Sequence, residues 1–355
     1  MLYGILTAQS CHLSKIARAL DEKTSLKKVI DRLSRNLNDY ENSENIFLSY
    51  INAVKPLLKD NSILVVDGSD IVKPCSEKME CLCKVRDGST GKYGNGYFTL
   101  GVTALTPKHK MSLPVYSRIY TSTEQSFVSE DEETLNCLKM LSNNFKKGNI
   151  RAFDRGYDCN TYYDYLIKNE EKFIIRAKKN RDVLYNGERI NIMDLANTRK
   201  GKYGLKFKNK AGKKVDCKIS IIPISLPCKP NAKLNLVVCY GFGKKPMILI
   251  TSLNSDDERL SVAVVKVYLM RWRIEEFYKF KKQQFNFEDL RVRSLNSIRN
   301  LDLFLTIAIG HLGIMSEKAE QKRFVLELIE LSKRIYDIPK FMQLCLFKDK
   351  GFGIV

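Results

Sequence analysis

Length, composition and charge set the first limits on this chain. The sequence has 355 residues, of which 44% are hydrophobic and 28% charged, which is ordinary for a folded protein of about two domains and excludes a disordered or fibrous chain. Its 60 lysines and arginines against 40 aspartates and glutamates leave a formal net charge of +20, which indicates a polyanionic partner. Because no unbroken apolar run approaches the roughly 18 residues of a membrane-spanning helix, we expect nucleic acid and no membrane.

The cysteine and histidine pattern does not favour a metal or disulfide framework. Three of the ten cysteines cluster, at Cys75, Cys81 and Cys83, but there is no Cys-x-x-Cys pair and only three histidines are present. Scattered thiols in a basic chain without signal-peptide features predict a cytoplasmic protein. So few imidazoles direct the search for acid and base chemistry to carboxylates.

The first 60 residues predict a helical region. Two amphipathic patterns, at 13–20 and 26–33, are separated by a break at 21–25. Between Lys15 and Arg35 there are seven basic and three acidic residues. Such a pair is either a helix-turn-helix that grips DNA or a plain helical pair with a solvated basic face, and both interpretations stay open.

Residues 61–177 predict a mixed α/β region. Three strands are expected at 62–66, 96–104 and 112–120, followed by a helix that begins with a capping box of Ser129 and Glu132. A strand at 149–153, a helix at 159–168 and a strand at 172–177 come next. The predicted order is strand, strand, strand, helix, strand, helix, strand.

A lysine-rich β segment is predicted at 178–245. Lys202, Lys206 and Lys208 alternate with apolar residues, and a second alternating run follows a turn near 209–212, which predicts a hairpin. Between Arg176 and Lys214, thirteen basic and three acidic residues give a charge of +10 (13 − 3), half of the whole surplus. The lysines either bind DNA or form a solvated edge that prevents aggregation.

One long helix is expected from about residue 257 to about residue 284. Tyr268, Arg271, Glu275 and Lys282 stand at offsets 0, 3, 7 and 14, which at about 100° per residue places them within an arc of roughly 60°. A carboxylate flanked by cations and a phenol suits a metal ion and its phosphate substrate. The same stripe also fits a solvated face with ion pairs such as Arg271 with Glu275.

Two aspartates follow predicted strands. Asp67 comes after the apolar run 63–66, and Asp154 comes after 150–153. The carboxyl ends of strands collect functional groups in α/β folds, although both aspartates also stand in good turn sequences. Together with Glu275 and the order of the elements, they match a ribonuclease-H-like fold, whose acids hold two divalent ions for phosphoryl transfer.

These residues give the chain a resemblance to a known family. The run Tyr268-Leu-Met-Arg271-Trp-Arg-Ile-Glu275, continued to Lys282, satisfies a Tyr-x2-Arg-x3-Glu-x6-Lys signature. Residues 66–74 and 153–157 are similar to the blocks that carry the family's two aspartates. Over about residues 10–315 the chain therefore resembles DDE transposases of the insertion-sequence-four type.

The resemblance implies an α/β protein with a ribonuclease-H-like core interrupted by a β-rich insertion. The expected regions are a helical region at 1–60 that is a candidate for DNA-end binding, core at 61–177 and 246–320, and the insertion at 178–245. A tail at 321–355 either contacts a dimer partner or packs on the core. Only about 66 residues precede Asp67, fewer than such transposases often have, so the recognition region is either reduced or incomplete.

The resemblance also implies a site and an activity. Asp67, Asp154 and Glu275 are expected to hold two Mg²⁺ ions, for which Mn²⁺ can substitute. The residues expected to contact DNA are Tyr268, Arg271, Lys282, Arg155, Lys202, Lys206 and Lys208. The partners would be double-stranded DNA, as transposon ends and target, and a second copy in a homodimeric synaptic complex.

The expected reaction is cutting at terminal inverted repeats and joining of the 3′-OH ends to target DNA. Two alternatives stay open at this point. One is a metal-dependent DNA nuclease without strand transfer, and the other is an inactive DNA-binding repressor derived from a transposase.

Overall fold

A computed structural model describes residues 1–88, 90–105, 112–208, 214–243, 245–253 and 258–317. The predicted tail at 321–355 and the predicted turn at 209–212 lie outside the described residues. Within them the chain forms two compact units. Unit 1 comprises Met1–Lys59, Asp67–Asn144 and the described residues from Arg273 onward, and unit 2 comprises Asp60–Val66 and Phe145–Trp272.

Helices and strands alternate in the mixed pattern that the sequence predicts. The helices are α1 (Leu2–Ala8), α2 (Leu13–Leu20), α3 (Leu26–Asn38), α4 (Ser43–Val54), α5 (Glu130–Asn144), α6 (Asn160–Lys168), α7 (Ile192–Asn197), α8 (Glu258–Met270), α9 (Arg273–Gln284) and α10 (Leu295–Glu317). The strands are β1 (Ile63–Val72), β2 (Cys83–Arg86), β3 (Tyr93–Leu105), β4 (Ser112–Tyr120), β5 (Ile150–Phe153), β6 (Lys172–Arg176), β7 (Asp182–Tyr185), β8 (Glu188–Asn191), β9 (Tyr203–Lys208), β10 (Lys214–Leu226), β11 (Lys229–Tyr240) and β12 (Met247–Thr251). Strand β1 contributes to both units, because the boundary at Asp67 falls inside it.

Unit 2 is built on a mixed sheet. Its first part is parallel, with Val66 of β1 opposite Phe153 of β5 and Phe153 opposite Ile175 of β6. Strands β12, β11 and β10 continue the sheet antiparallel, with β9 and β7 paired to β10 and β8 paired to β7. Residues 63–66 are all buried, which explains why this part of β1 is a continuous apolar run.

Strands β9 and β10 form the hairpin that the sequence predicts. They pair antiparallel, and Leu205, Phe207, Cys217 and Ile219 enter one buried apolar cluster with residues of α8. Lys206, on the other face of the strand, is exposed. The period-two pattern therefore identified both the strands and their buried face.

Unit 1 combines strands with the N-terminal and later helices. Strand β3 lies between β2 and β1 and also pairs with β4. Helix α10 packs against β4 and against α1, α3 and α4. The predicted amphipathic helices α2 and α3 are confirmed, with Ile16 and Ala17 buried in the first and Val29 and Leu33 in the second.

Among the described residues, α10 is the one helix long and apolar enough to cross a membrane. Its window Leu295–Met315 has a mean hydropathy of 1.3, and 67% of it is buried inside the protein. The Asn300 side-chain amide donates to the carbonyl oxygens of Leu37 at 2.8 Å and Tyr40 at 3.1 Å, and Asp302 pairs with Lys281. Because its polar groups find partners on other elements of unit 1, α10 is packed as a core helix. These polar residues also interrupt its apolar runs, so the sequence does not predict a span here.

The fold-class prediction is confirmed. Elements β1, β3, β4, α5, β5, α6 and β6 follow the predicted order, and their strands take the order β4-β3-β1-β5-β6. The Ser129 hydroxyl accepts the Glu132 N–H at 3.1 Å, as expected for a capping box at the start of α5. The protein is mixed α/β.

The prediction of one long helix at 257–284 is wrong, because the chain forms α8 and α9 with a break at 271–272. The Arg271 N–H donates to the Tyr268 carbonyl oxygen at 3.0 Å, an i to i−3 bond that tightens the last turn of a helix. Glu275 and Glu276 then occupy the first turn of α9, where carboxylates complement the helix dipole. The signal for a second helix start was this acidic pair.

A buried ion pair in unit 2 gives the first prediction. Arg151 and Glu171 pair at 2.6 Å with side chains 1% exposed, and burial lowers the pKa of Arg151. Replacing Glu171→Gln leaves the guanidinium buried without its counter-charge, so we expect the free energy of unfolding to fall by about 3–5 kcal/mol. Urea unfolding measures it.

The adjacent residue supplies the control. Glu170 pairs with Lys147 at 3.4 Å, and its side chain is 82% exposed, so Glu170→Gln should leave the unfolding midpoint unchanged. Equal midpoints for the two variants would contradict a stabilising role of the Arg151–Glu171 pair.

Candidate active site

Asp67 and Asp154 are the residues that follow one paired step of two parallel strands. Val66 and Phe153 are register partners and are fully buried. Strand β5 ends at Phe153, whereas β1 continues to Val72. Asp67 was expected at the end of a strand or in a turn; both expectations are wrong, because Asp67 lies inside β1, at the end of its buried half.

Asp154 begins a short 3₁₀ turn at Arg155–Tyr157. Its Oδ1 accepts the Gly156 N–H at 2.6 Å, and a Cβ on residue 156 would lie 3.0 Å from that oxygen. The turn-forming interpretation of Asp154 is therefore confirmed. A carboxylate has a second oxygen, so this capping role is compatible with a further ligand. Arg155, the next residue, is exposed.

Helix α9 contacts β1 at Asp67. Glu275 lies in the first turn of α9 and Tyr278 one turn later, and residues three apart share a helix face. The Tyr278 hydroxyl donates to the main-chain carbonyl oxygen of Asp67 at 2.7 Å. The face of α9 that carries Glu275 is therefore the face held against β1.

The Tyr278 contact depends on a glycine in β3. A Cβ on Gly101 would lie 2.6 Å from the Tyr278 hydroxyl oxygen, so only glycine leaves room for the ring. Burial raises the pKa of Tyr278 well above its usual range, which keeps the hydroxyl protonated as a donor. Sequence reasoning missed both residues, since a tyrosine and a glycine at these spacings also suit many core positions.

The three carboxylates are divided between the two units. Asp67 and Glu275 belong to unit 1 and Asp154 to unit 2. Within the ranges that the structure describes, no group of three or more His, Cys, Asp or Glu side chains is arranged to hold a metal ion. Carboxylate oxygens are the ligands that Mg²⁺ prefers, so the donor chemistry fits, and the three-carboxylate set stays a prediction.

Tyr268 has a packing role that the sequence did not reveal. It is 6% exposed and belongs to the apolar cluster of unit 2. The Arg271 guanidinium lies 6.0 Å from the centre of its ring. The expectation that Tyr268, Arg271, Glu275 and Lys282 form one stripe on one helix is wrong, because the break at 271–272 separates the first two from the others. Their contacts with DNA stay predictions.

Lys282 is held by two carboxylates. Its ammonium lies 3.6 Å from Asp70 of β1 and 3.0 Å from Glu288, and its side chain is 23% exposed. Lys73 reinforces the same junction, since its Nζ donates to the carbonyl oxygens of Glu288 at 2.5 Å and Leu290 at 2.6 Å. Lys282 therefore ties β1 to the chain after α9, and a phosphate contact would have to compete with these partners.

The lysines in β9 and directly before it differ in their surroundings. Lys202 is exposed, with its Nζ 5.3 Å from the centre of the Tyr203 ring. Lys206 is 83% exposed and lies 3.6 Å from Asp216. Lys208 pairs through its backbone with Lys214, and its side chain lies outside the described part. These positions fit both a DNA-binding face and a solvated edge.

Comparisons with known proteins identify the domain. The family model described as "Transposase DDE domain" matches residues 59–310. No protein of curated function matches the chain. Two similar solved structures are a piggyBac transposase synaptic complex with hairpin DNA, at 13% identity and a TM-score of 0.49 over 98% of this chain and 72% of that one, and the NurA nuclease from Sulfolobus solfataricus, at 10% identity and a TM-score of 0.29 over 88% and 98%.

The contact between Gly101 and Tyr278 yields a second prediction. Gly101→Ala should destabilise the protein, because the new methyl group collides with the Tyr278 hydroxyl. In a Tyr278→Phe background the hydroxyl oxygen closest to the new methyl group is absent. Gly101→Ala should then lower the free energy of unfolding by about 0.5–3 kcal/mol less than it does in the parent protein. Urea unfolding of the two single variants and the double variant measures this coupling.

Gly204→Ala is the control, since a Cβ there meets nothing within 4 Å, and its unfolding midpoint should not fall. Additive effects of Gly101→Ala and Tyr278→Phe would contradict the described contact.

Proposed function

The chain belongs to the transposase DDE-domain family, and from this premise we propose that it cuts an insertion-sequence element at its terminal inverted repeats and joins the 3′-OH ends to target DNA. The matched segment spans 252 residues (310 − 59 + 1), more than two thirds of the 355-residue chain. It includes Asp67, Asp154 and Glu275, so the proposed site lies inside the family domain.

The parallel register of β1 and β5 is the observation that carries this proposal. Since Val66 and Phe153 are partners, Asp67 and Asp154 each follow directly after the same paired step of two neighbouring strands. The bond from Tyr278 to the Asp67 carbonyl oxygen holds the Glu275-bearing face of α9 against the same strand. Three segments distant in sequence thus supply one carboxylate each to the proposed site.

In this proposal Asp67, Asp154 and Glu275 bind two Mg²⁺ ions, and Mn²⁺ substitutes for Mg²⁺. Bound divalent ions supply activation of the attacking water or 3′-OH and stabilise the leaving oxygen. Carboxylates repel one another at short range, so three carboxylates brought together would hold a cation that offsets their charge. Exposed Arg155, next to Asp154, is suited to hold a DNA phosphate beside them.

Double-stranded DNA is the proposed polyanion. The surplus of +20 includes two exposed lysines, Lys202 just before β9 and Lys206 within it. We assign these lysines, with Lys208, to the DNA backbone. Arg271, Lys282 and Tyr268 remain proposed contacts near the cut. Because both ends of an element have to be processed together, we also propose a homodimer acting on DNA in the cytoplasm.

The activity is tested by divalent-dependent cleavage of DNA that carries the element's terminal repeats. Asp67→Asn, Asp154→Asn and Glu275→Gln should each reduce cleavage by at least about 100-fold, because loss of a metal ligand removes several kcal/mol of transition-state stabilisation. Products that join the element's 3′ end to a second DNA should appear with the parent protein. Cleavage without such products would contradict transposition in favour of a nuclease.

Neighbouring acids provide matched controls for the carboxylate series. Glu276 follows Glu275 and lies 3.4 Å from Arg273, and Asp164 of α6 pairs with Lys229. Glu276→Gln and Asp164→Asn should cut DNA as the parent does. If the Asp67, Asp154 and Glu275 variants cut equally well, the site assignment is wrong.

The proposed DNA contacts of Lys202, just before β9, and of Lys206 and Lys208 within it are tested by DNA binding at several salt concentrations. A triple variant with Lys202→Gln, Lys206→Gln and Lys208→Gln should bind more weakly and lower the salt slope by roughly 0.9 for each phosphate that a lysine no longer neutralises. A control triple variant with Lys139→Gln, Lys146→Gln and Lys147→Gln removes the same charge from the end of α5, where each lysine has an acidic partner. Equal slopes for the two triple variants would return β9 to the solvated-edge interpretation.

A further inference from the structure

Unit 1 contains a cleft of about 630 Å³ between the N-terminal helices and the chain that leads into α10. One wall is the start of α2, beginning at His12, and a second wall is the face of α3 from Ile30 to Asp39. The third wall is the segment from Arg291 to Ser297. The cleft therefore joins two parts of the chain that lie more than 250 residues apart (291 − 39 = 252).

Arginines dominate the charge of the cleft. Arg35, Arg291 and Arg293 line it and are exposed, and within the described ranges none of them has an ion pair. Two acids, Asp31 and Asp39, also line it, so the three arginines leave an excess of one positive charge (3 − 2). The neighbouring surface of α2 and α3 is basic as well, with seven basic against three acidic residues between positions 15 and 35.

Arg291 and Arg293 are presented by a fixed backbone. Val292 between them is 6% exposed, so the two arginines lie on one side of the segment, at most about 7 Å apart along the chain. On one side of the pair, the Leu290 carbonyl oxygen accepts Lys73 Nζ at 2.6 Å, and on the other, the Arg293 carbonyl oxygen accepts the Glu80 N–H at 2.9 Å. The backbone of this segment needs little ordering before the guanidinium groups can bind, which favours affinity.

Most of the charges near His12 are positive. The pKa of His12 is lowered first by burial and then by Arg291, Lys15 and Lys73, while Asp289 raises it. The N-terminus of α10 contributes less to anion binding, because its Leu295 N–H is already bonded to the Glu80 carboxylate at 2.6 Å. The arginines are therefore the groups that attract an anion here.

We propose that this cleft binds the phosphate backbone of double-stranded DNA. The inference rests on the proposed function for its polyanion and adds a contact surface in which Arg291 and Arg293 act together with Arg35 of α3. A guanidinium donates two parallel hydrogen bonds to a phosphate. All three arginines are exposed and continuous with the basic surface of α2 and α3, which suits an extended polyanion better than a small enclosed anion. In this arrangement α2 and α3 contact the DNA backbone, and Arg291 and Arg293 before α10 make a second set of phosphate contacts.

The test measures binding of labelled duplex DNA without divalent ions over a series of salt concentrations. The double variant Arg291→Gln/Arg293→Gln should lower the salt slope by about 2, since each phosphate contact contributes roughly 0.9, and should weaken binding at least tenfold. Asp31→Asn/Asp39→Asn should tighten binding by removing the acids that line the cleft. The control Lys139→Gln/Lys146→Gln removes two charges elsewhere and should leave the slope unchanged.

Unchanged affinity and slope for the arginine variant, with a parental circular dichroism spectrum, would overturn the inference. So would an equal loss in the Lys139→Gln/Lys146→Gln control, because the effect would then follow net charge and not the cleft. Tighter binding of single-stranded DNA than of duplex would also contradict it.

Two further measurements separate this inference from the proposed function. At saturating DNA, Arg291→Gln/Arg293→Gln should still cut, since its carboxylates are intact, whereas Asp154→Asn should bind like the parent without cutting. If the arginine variant binds DNA normally while Asp154→Asn no longer cuts, the DNA-binding role of the cleft is contradicted and the proposed function is supported. If the arginine variant binds DNA more weakly but the parent protein does not cut DNA, the cleft is supported and the proposed function is contradicted.

Discussion

The parallel pairing of β1 with β5 fixes the positions in the sheet from which Asp67 and Asp154 follow. Four apolar residues of β1, buried on both faces, lie in register with β5. This register fixes where the buried part of each strand ends, and in both segments the next residue is an aspartate. A slip of one residue would turn every side chain of β1 to the opposite face, so the burial that stabilises the pair also specifies the positions of Asp67 and Asp154.

Glu275, the third proposed carboxylate, is positioned by contacts of α9 with the rest of unit 1. Tyr278 bonds to the Asp67 carbonyl oxygen in space that Gly101 leaves open. Lys282, at the other end of α9, pairs with Asp70 and Glu288. The middle of α9 and its C-terminal turn are thus held against the same strand. These structural partners of Lys282 are compatible with its proposed phosphate contact, because a site needs rigid support as well as reactive groups.

Much of the fold could be predicted because its signals are local. The period-two pattern gave the β9–β10 hairpin, and the Ser129 capping box gave the start of α5. The helix break at 271–272 could not be found from apolar spacing, since residues on both sides keep a helical pattern without proline or glycine. Because of this break, the four signature residues do not form one stripe on one helix. Tyr268 is buried in the apolar cluster of unit 2. Contacts such as Tyr278 with Asp67, or Lys282 with Glu288, depend on the packing of distant segments, and no pattern along the chain encodes them. The carboxylates were identified by chemistry and position, and their joint binding of metal is still a prediction.

The central claim is that Asp67, Asp154 and Glu275 bind divalent ions together. Replacing Mg²⁺ with Fe²⁺, in the presence of ascorbate and peroxide, generates hydroxyl radicals that cut the polypeptide next to a bound ion, whether or not the enzyme is active. We expect cuts near residues 67, 154 and 275 that excess Mg²⁺ suppresses and that Asp154→Asn weakens at all three positions. Cuts confined to other regions, or a cut near one carboxylate that is unchanged in Asp154→Asn, would contradict a shared site.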